Sequence, residues 1–162
     1  MSVTFPLASL AFCLAISAHN LEEAVWLPAW SERAGKIHAR VGAREFRFAV
    51  IVLTALAWGV AVSAQLGGRE SVGAYLLAGY ALAMLLNVVA PHLLATAFMR
   101  SYAPGTATAV LLNLPACALL LRAALVDGYV RPDVFLYVGP ACVVALLASI
   151  PLLFAIGRRL PV

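Results

Sequence analysis

The chain has 162 residues, of which 64% are apolar and only 11% are charged, and its mean hydropathy is +0.99. A soluble domain of 17.1 kDa cannot bury so much apolar surface, because small domains leave much of their surface in water. The composition therefore indicates a membrane protein, and it excludes a disordered chain, a disulfide scaffold and a multidomain enzyme. The net charge of +4 indicates membrane topology rather than nucleic-acid binding.

Five apolar stretches are long enough to cross a hydrocarbon core, which takes about 20 helical residues. They predict an all-α bundle of five transmembrane helices that forms one domain over residues 1–162. The predicted spans are residues 3–26, 46–64, 71–90, 106–125 and 134–156, with the third free to continue beyond Pro91. No Lys or Arg precedes Arg33, so the first stretch lacks the basic start of a signal peptide and is expected to remain as a span.

The distribution of basic residues predicts the orientation of this bundle. One side of the predicted membrane has eight Lys and Arg residues, namely Arg33, Lys36, Arg40, Arg44, Arg47, Arg100, Arg158 and Arg159. The opposite side has three, namely Arg69, Arg122 and Arg131. Because the side richer in Lys and Arg faces the cytoplasm, we expect the N-terminus outside and the C-terminus inside.

The first predicted span contains ionisable residues that a bilayer normally excludes. Its sequence includes His19, Glu22 and Glu23, which lie on one face of a helix because they are three and four positions apart. An ionisable side chain within a span costs about 2.5–3.5 kcal/mol on insertion scales and marks a candidate functional site. Two carboxylates and an imidazole are therefore expected to face the same space.

The third span carries a second group of polar residues at its end. Pro91 has no amide hydrogen to donate to the carbonyl of Asn87, so the sequence predicts a kink between Asn87 and His92. An unbroken helix would hold these two side chains about 140° apart. A kink can bring them closer together.

Further polar residues follow in the next loop and the fourth span. Tyr102 precedes Pro104, and Thr106 and Asn113 are seven positions apart, which places the last two on one helical face. The predicted topology puts all the polar groups of these three spans in the cytoplasmic half of the bundle, at similar depth. We therefore expect one shared polar pocket.

Three short motifs of the chain resemble the HXXEE family of small prokaryotic integral membrane proteins. The motifs are His19-x-x-Glu22-Glu23, Asn87-x4-His92 and Tyr102-x-Pro104-Gly105. They occur in the family's order, and the resemblance extends from about residue 10 to about residue 120. It implies a membrane-embedded active site without supplying a reaction. It also favours a multi-pass protein of the inner (plasma) membrane.

The residues of the pocket favour a metal site as the first hypothesis. His19, Glu22, Glu23 and His92 offer imidazole nitrogens and carboxylate oxygens, a set that suits zinc or non-haem iron in an open catalytic geometry. Such a site would hydrolyse a hydrophobic or lipid-like ester or amide from the surrounding lipid. We expect side chains that orient the substrate, namely Asn87, Tyr102, Thr106 and Asn113.

Two other hypotheses fit the same residues. In the first, Glu22 and Glu23 exchange protons with His19 and His92 in a metal-free isomerase or hydratase. In the second, the polar cluster forms a proton or ion path, or serves only to hold helices together. Five helices make a thin wall for a pore, so a transporter of this size would require a homo-oligomer.

Overall fold

The structure is a computed structural model, and it describes residues 3–34 and 40–160. The predicted loop residue Lys36 lies outside the described residues. The described chain contains seven α-helices: α1 (Phe5–Ser31), α2 (Ala43–Gly67), α3 (Val72–Asn87), α4 (Leu94–Met99), α5 (Thr106–Thr108), α6 (Leu114–Val126) and α7 (Pro132–Arg159). Two short π-helical segments, Val88–Leu93 and Ala109–Asn113, join α3 to α4 and α5 to α6. No strand occurs in the described ranges.

Within those ranges, five helices are long and apolar enough to cross a membrane, which confirms the predicted number of spans. They are Phe5–Ser31, Ala43–Gly67, Val72–Met99, Thr106–Val126 and Pro132–Arg159. The first helix continues through Pro28 to Ser31, and the third span continues past Pro91 to Met99. The all-α fold with five helices of membrane-spanning length was therefore predicted correctly.

The third span packs against three other spans. Its first helix, α3, packs against α2, α6 and α7, and α1 packs against α2 and α6. Small side chains allow this close packing, since Ala74 and Ala78 of α3 are fully buried. A Cβ atom at Gly79 would collide with Cys142 of α7, so α3 and α7 approach each other closely there.

The two ends of α1 are tied to other parts of the chain. At its start, the backbone N–H of Phe5 donates to the carboxylate of Asp127, 2.8 Å away, which satisfies an unpaired helix N–H. Near its end, Pro28 cannot donate to the carbonyl of Ala24, and Nε of Arg47 takes its place at 3.1 Å. These contacts fix the position of α1, which carries the first polar motif.

The third span departs from regular helix next to Pro91. At Ala90 the backbone has φ −125° and ψ 115°, outside the helical region, and the chain then resumes as α4. This break confirms the predicted kink. It brings the side chains of Asn87 and His92 to 3.1 Å of each other (Nδ2 to Nε2), a distance that an unbroken helix would not allow.

Candidate functional site

Three side chains from two spans converge inside the bundle. His19 and Glu23 come from α1, and His92 comes from the first π-helical segment. Each offers an atom able to bind a metal, and these three atoms all lie within 4.8 Å of one another. His19 is fully buried, His92 is 2% exposed, and the Glu23 side chain is 14% exposed.

The Glu23 carboxylate lies between the two imidazoles. Its Oε2 is 3.6 Å from Nε2 of His19, and its Oε1 is 3.5 Å from Nε2 of His92. The two rings stand at 89° to each other with centroids 4.8 Å apart. In a tetrahedral site with metal–ligand bonds of about 2.1 Å, neighbouring ligand atoms are about 3.4 Å apart. The two separations involve different oxygens of Glu23, and with one ligand atom from each residue the three atoms lie within 4.8 Å of one another, a wider limit than that value.

Gly105 closes the space beside the three side chains. Its φ of +87° lies in the left-handed region, which glycine adopts without strain. A Cβ atom at this position would lie 2.6 Å from Cε1 of His92, and 3.0 Å from both Cε1 of His19 and Cγ of Glu23. The backbone therefore approaches all three groups as closely as only a glycine allows.

Glu22 is not part of this trio and is held by the loop before α5 and by α5 itself. Its Oε1 accepts from the Tyr102 hydroxyl and from the Gly105 N–H at 2.9 Å. Its Oε2 accepts from the Thr108 hydroxyl at 2.6 Å and from the Thr108 N–H at 3.3 Å. Both carboxylate oxygens are thus occupied, and Glu22 is not one of the three groups that lie close enough to share a metal.

Thr108 connects two residues of the motif, Glu22 and His19. The Thr108 hydroxyl, which donates to Glu22, also lies 3.0 Å from Nδ1 of His19. The other ring nitrogen of His19, Nε2, has no hydrogen-bond partner among the described residues. His19 is therefore bonded on the side facing α5 and open on the side facing Glu23.

The polar residues proposed to orient a substrate have different surroundings. The Thr106 hydroxyl lies 2.9 Å from the Thr96 hydroxyl and 3.4 Å from the carbonyl oxygen of His92. Tyr102 is half-exposed and bonds Glu22. Partial burial and that hydrogen bond raise the pKa of the Tyr102 phenol. Asn113 is fully buried, and in the part of the chain that the structure describes neither of its amide atoms has a partner.

A small crevice leads to one side of the trio. It has a volume of about 20 Å³, enough for about one water molecule. Glu23 and His92 are the ionisable residues of its lining, and the rest is apolar, namely Leu27, Trp30, Pro91, Ala95, Ala103 and Pro104. The site therefore has access to an apolar surface and room for a single small polar molecule.

Two site residues were not predicted from the sequence. Thr108 bonds both Glu22 and His19, and Thr96 bonds Thr106 and accepts from the Ala103 N–H at 3.3 Å. A threonine can satisfy its hydroxyl within its own helix, as Thr54 does with the carbonyl of Val50, so its presence in a span is a weak signal.

Comparisons with known proteins identify the family of this chain. A family described as "Protein of unknown function with HXXEE motif" matches residues 10–120, a range that includes every residue of the trio. The chain belongs to the HXXEE family. It is also 37% identical over 148 residues to the uncharacterised protein YrkK of Bacillus subtilis (strain 168), covering 91% of this chain and 94% of that one. No solved structure matches it.

In this HXXEE protein, the residues of the motif for which the family is named contact two different parts of the structure. Its histidine and second glutamate, His19 and Glu23, join the trio, whereas Glu22 binds the segment from Tyr102 to Thr108. The Tyr-x-Pro-Gly motif supplies Tyr102 and the N–H of Gly105 to Glu22. The three motifs that are separate in sequence thus form one connected site.

Proposed function

We propose that this protein is a membrane-embedded, divalent-metal-dependent hydrolase that acts on a hydrophobic or lipid-like ester or amide. The observation that supports it most is the convergence of three ligand atoms from two spans within 4.8 Å, around a buried imidazole nitrogen. Two nitrogens and a carboxylate oxygen suit zinc or iron and leave a coordination position open. His19, Glu23 and His92 would hold such a cation, which would supply the polarisation of a carbonyl and a lower pKa for a bound water.

The surroundings of the trio fit hydrolysis. The crevice has room for about one water molecule beside Glu23 and His92. In the proposed reaction the water oxygen would bond to the acyl carbon, the bond to the leaving oxygen or nitrogen would break, and the water's proton would reach the leaving group through the Glu23 oxygen that does not bind the metal. The apolar remainder of the crevice, with Leu27 and Trp30, fits a substrate that arrives from lipid.

Elemental analysis of the purified protein tests this proposal. We expect about one zinc or iron per chain, lost in Glu23→Gln and in His92→Gln. The matched control is Glu32→Gln, which changes an exposed carboxylate paired with Arg40 and should retain the metal. A metal-dependent release of product from a long-chain acyl ester in micelles, absent in Glu23→Gln, would establish the reaction class. Wild-type protein that stays metal-free in saturating zinc would overturn the proposal.

A second candidate, a metal-free isomerase or hydratase, is favoured by one contact. The Asn87 amide lies 3.1 Å from Nε2 of His92, the nitrogen that also faces Glu23. A metal at that nitrogen would have to displace the amide. Asn87→Ala separates the candidates: a hydrolase should bind zinc at least as tightly, whereas an acid–base enzyme should lose activity that a chelator does not affect.

We further propose that the N-terminus lies outside, that the C-terminus and the site face the cytoplasm, and that the protein resides in the inner membrane. The eight basic residues on one side against three on the other support this orientation. A C-terminal reporter that is active only in the cytoplasm tests it, and activity of a reporter specific to the outside would contradict it.

A further inference from the structure

The Thr108 hydroxyl occupies a position between an acid and an imidazole. Its Oγ1 is 2.6 Å from Oε2 of Glu22, 3.0 Å from Nδ1 of His19 and 3.2 Å from the carbonyl oxygen of Gly105. All three contacts are within hydrogen-bond distance, and the one to Glu22 is the shortest. The hydroxyl therefore bonds two polar groups of α1 at once.

Counting hydrogens decides the direction of these bonds. A hydroxyl has one hydrogen to donate, and a backbone carbonyl can only accept. The Glu22 carboxylate is surrounded by donors, since it accepts from the N–H groups of Gly105 and Thr108 as well as from Tyr102. The Thr108 hydrogen therefore goes to an oxygen, and its lone pair faces Nδ1 of His19.

This direction has a consequence for the histidine ring. If Thr108 accepts from Nδ1, then Nδ1 carries the hydrogen, and Nε2 of the neutral ring carries the lone pair. Nε2 is the atom without a hydrogen-bond partner in the described ranges, and it lies 3.6 Å from Glu23. The lone pair is therefore presented to the space shared with Glu23 and His92.

We propose that Glu22 and Thr108 are positioning residues that fix His19 in the tautomer with hydrogen on Nδ1. Partners of this kind orient many metal-binding histidines, usually by direct contact of a carboxylate or carbonyl with the ring. Here a threonine hydroxyl stands between the carboxylate and the ring. The two adjacent glutamates of the motif thus act at different distances from the chemistry: Glu23 within the trio, and Glu22 through Thr108.

The tautomer is measured by the ¹⁵N resonances of the ring nitrogens. The chain has three histidines, so His19 is identified by the resonances that vanish in His19→Gln. We expect hydrogen on Nδ1 in the wild type, a mixture of tautomers in Thr108→Val, and the wild-type pattern restored in Thr108→Ser, which keeps the hydroxyl. A merely structural role for Thr108 would leave the tautomer unchanged.

Zinc affinity gives an independent measurement, and this part of the inference rests on the proposed function. Loss of a positioning partner typically weakens metal binding by about 10–100-fold. We expect a loss of that size in Thr108→Val and in Glu22→Gln, and near-normal affinity in Thr108→Ser.

The two proposals fail in different ways. Wild-type protein that binds no zinc but has hydrogen on Nδ1 of His19 would overturn the metal site and support the positioning role. Hydrogen on Nε2 in the wild type would overturn the positioning role whether or not zinc binds. An unchanged tautomer in folded Thr108→Val would do the same.

Discussion

Replacing Gly105 by alanine is the most direct test of the site geometry. The new Cβ atom would lie 2.6 Å from Cε1 of His92 and 3.0 Å from Cε1 of His19. Non-bonded carbon atoms are most stable at about 3.5–4.0 Å, so His92 must move by about 1 Å and His19 by about half as much. The alanine keeps its N–H, and therefore the bond to Glu22 can remain.

The expected cost has two parts. An alanine in the left-handed region costs about 1–2 kcal/mol, since φ at Gly105 is +87°. Overpacking a filled site costs about 1–3 kcal/mol more. We therefore expect the free energy of unfolding to fall by about 2–5 kcal/mol. A metal site tolerates displacements of only about 0.2 Å, so zinc should fall well below one per chain.

The matched control is Gly128→Ala. Gly128 has a similar φ of +71°, but a Cβ atom there would meet nothing within 4 Å. In Gly128→Ala the free energy of unfolding should fall only by the cost of the left-handed backbone, about 1–2 kcal/mol, and the protein should keep its zinc. Thermal unfolding in detergent and elemental analysis measure both variants. Equal destabilisation of the two, or stoichiometric zinc in Gly105→Ala, would refute the geometry described for the trio.

Three further predictions concern other parts of the bundle. Asn113→Leu removes a buried amide without partners in the described ranges and should raise the free energy of unfolding by about 1–3 kcal/mol in a thermal melt. Gly79→Ala should lower it by about 1–3 kcal/mol, because the new methyl group collides with Cys142. The phenolate absorbance of Tyr102 should appear only above the ordinary pKa of tyrosine, because partial burial and the bond to Glu22 raise that pKa. The stability from that bond should be complete at neutral pH and disappear as pH rises through the raised pKa.

Each of these three predictions has a control variant with a different expected result. Asn20→Leu should destabilise, since its amide donates to Thr54 at 2.7 Å. Gly59→Ala has open space and should be neutral or slightly stabilising. Tyr102 is one of five tyrosines, so its share of the high-pH signal is the part that should be lost in Tyr102→Phe. Loss of stability in Asn113→Leu would contradict the expected gain from removing an unsatisfied amide.

The positions of the apolar runs were sufficient to predict five helices of membrane-spanning length. Each is an apolar run bounded by polar or turn residues, and a bilayer permits few structures other than helices for such runs. The helix ends were harder to place. Pro28 lies inside α1, because Arg47 bonds the carbonyl that proline leaves unpaired. That contact comes from another helix and has no local signal.

The separate tasks of the two glutamates could not be deduced from helical spacing. Glu22 and Glu23 were both placed on the face of His19, and both were considered as metal ligands. Adjacent residues differ by about 100° around a helix, and what each meets depends on neighbouring segments. Glu22 accepts from the N–H groups of Gly105 and Thr108. Nearly every residue has a backbone N–H, so the residue types of a sequence do not show which N–H groups will meet a carboxylate.

The last helix contributes none of the site contacts described above. α7 packs on α2 and α3, most of its surface faces outward, and it lies beyond residues 10–120. The residues of the trio and this outward-facing surface therefore lie on different helices. The outer surface of α7, with Leu136, Tyr137, Val144 and Leu147 exposed, can vary with lipid composition and bilayer thickness while the trio stays constant. We therefore expect that, when such a protein adapts to a new membrane, most of the sequence changes fall in its last helix.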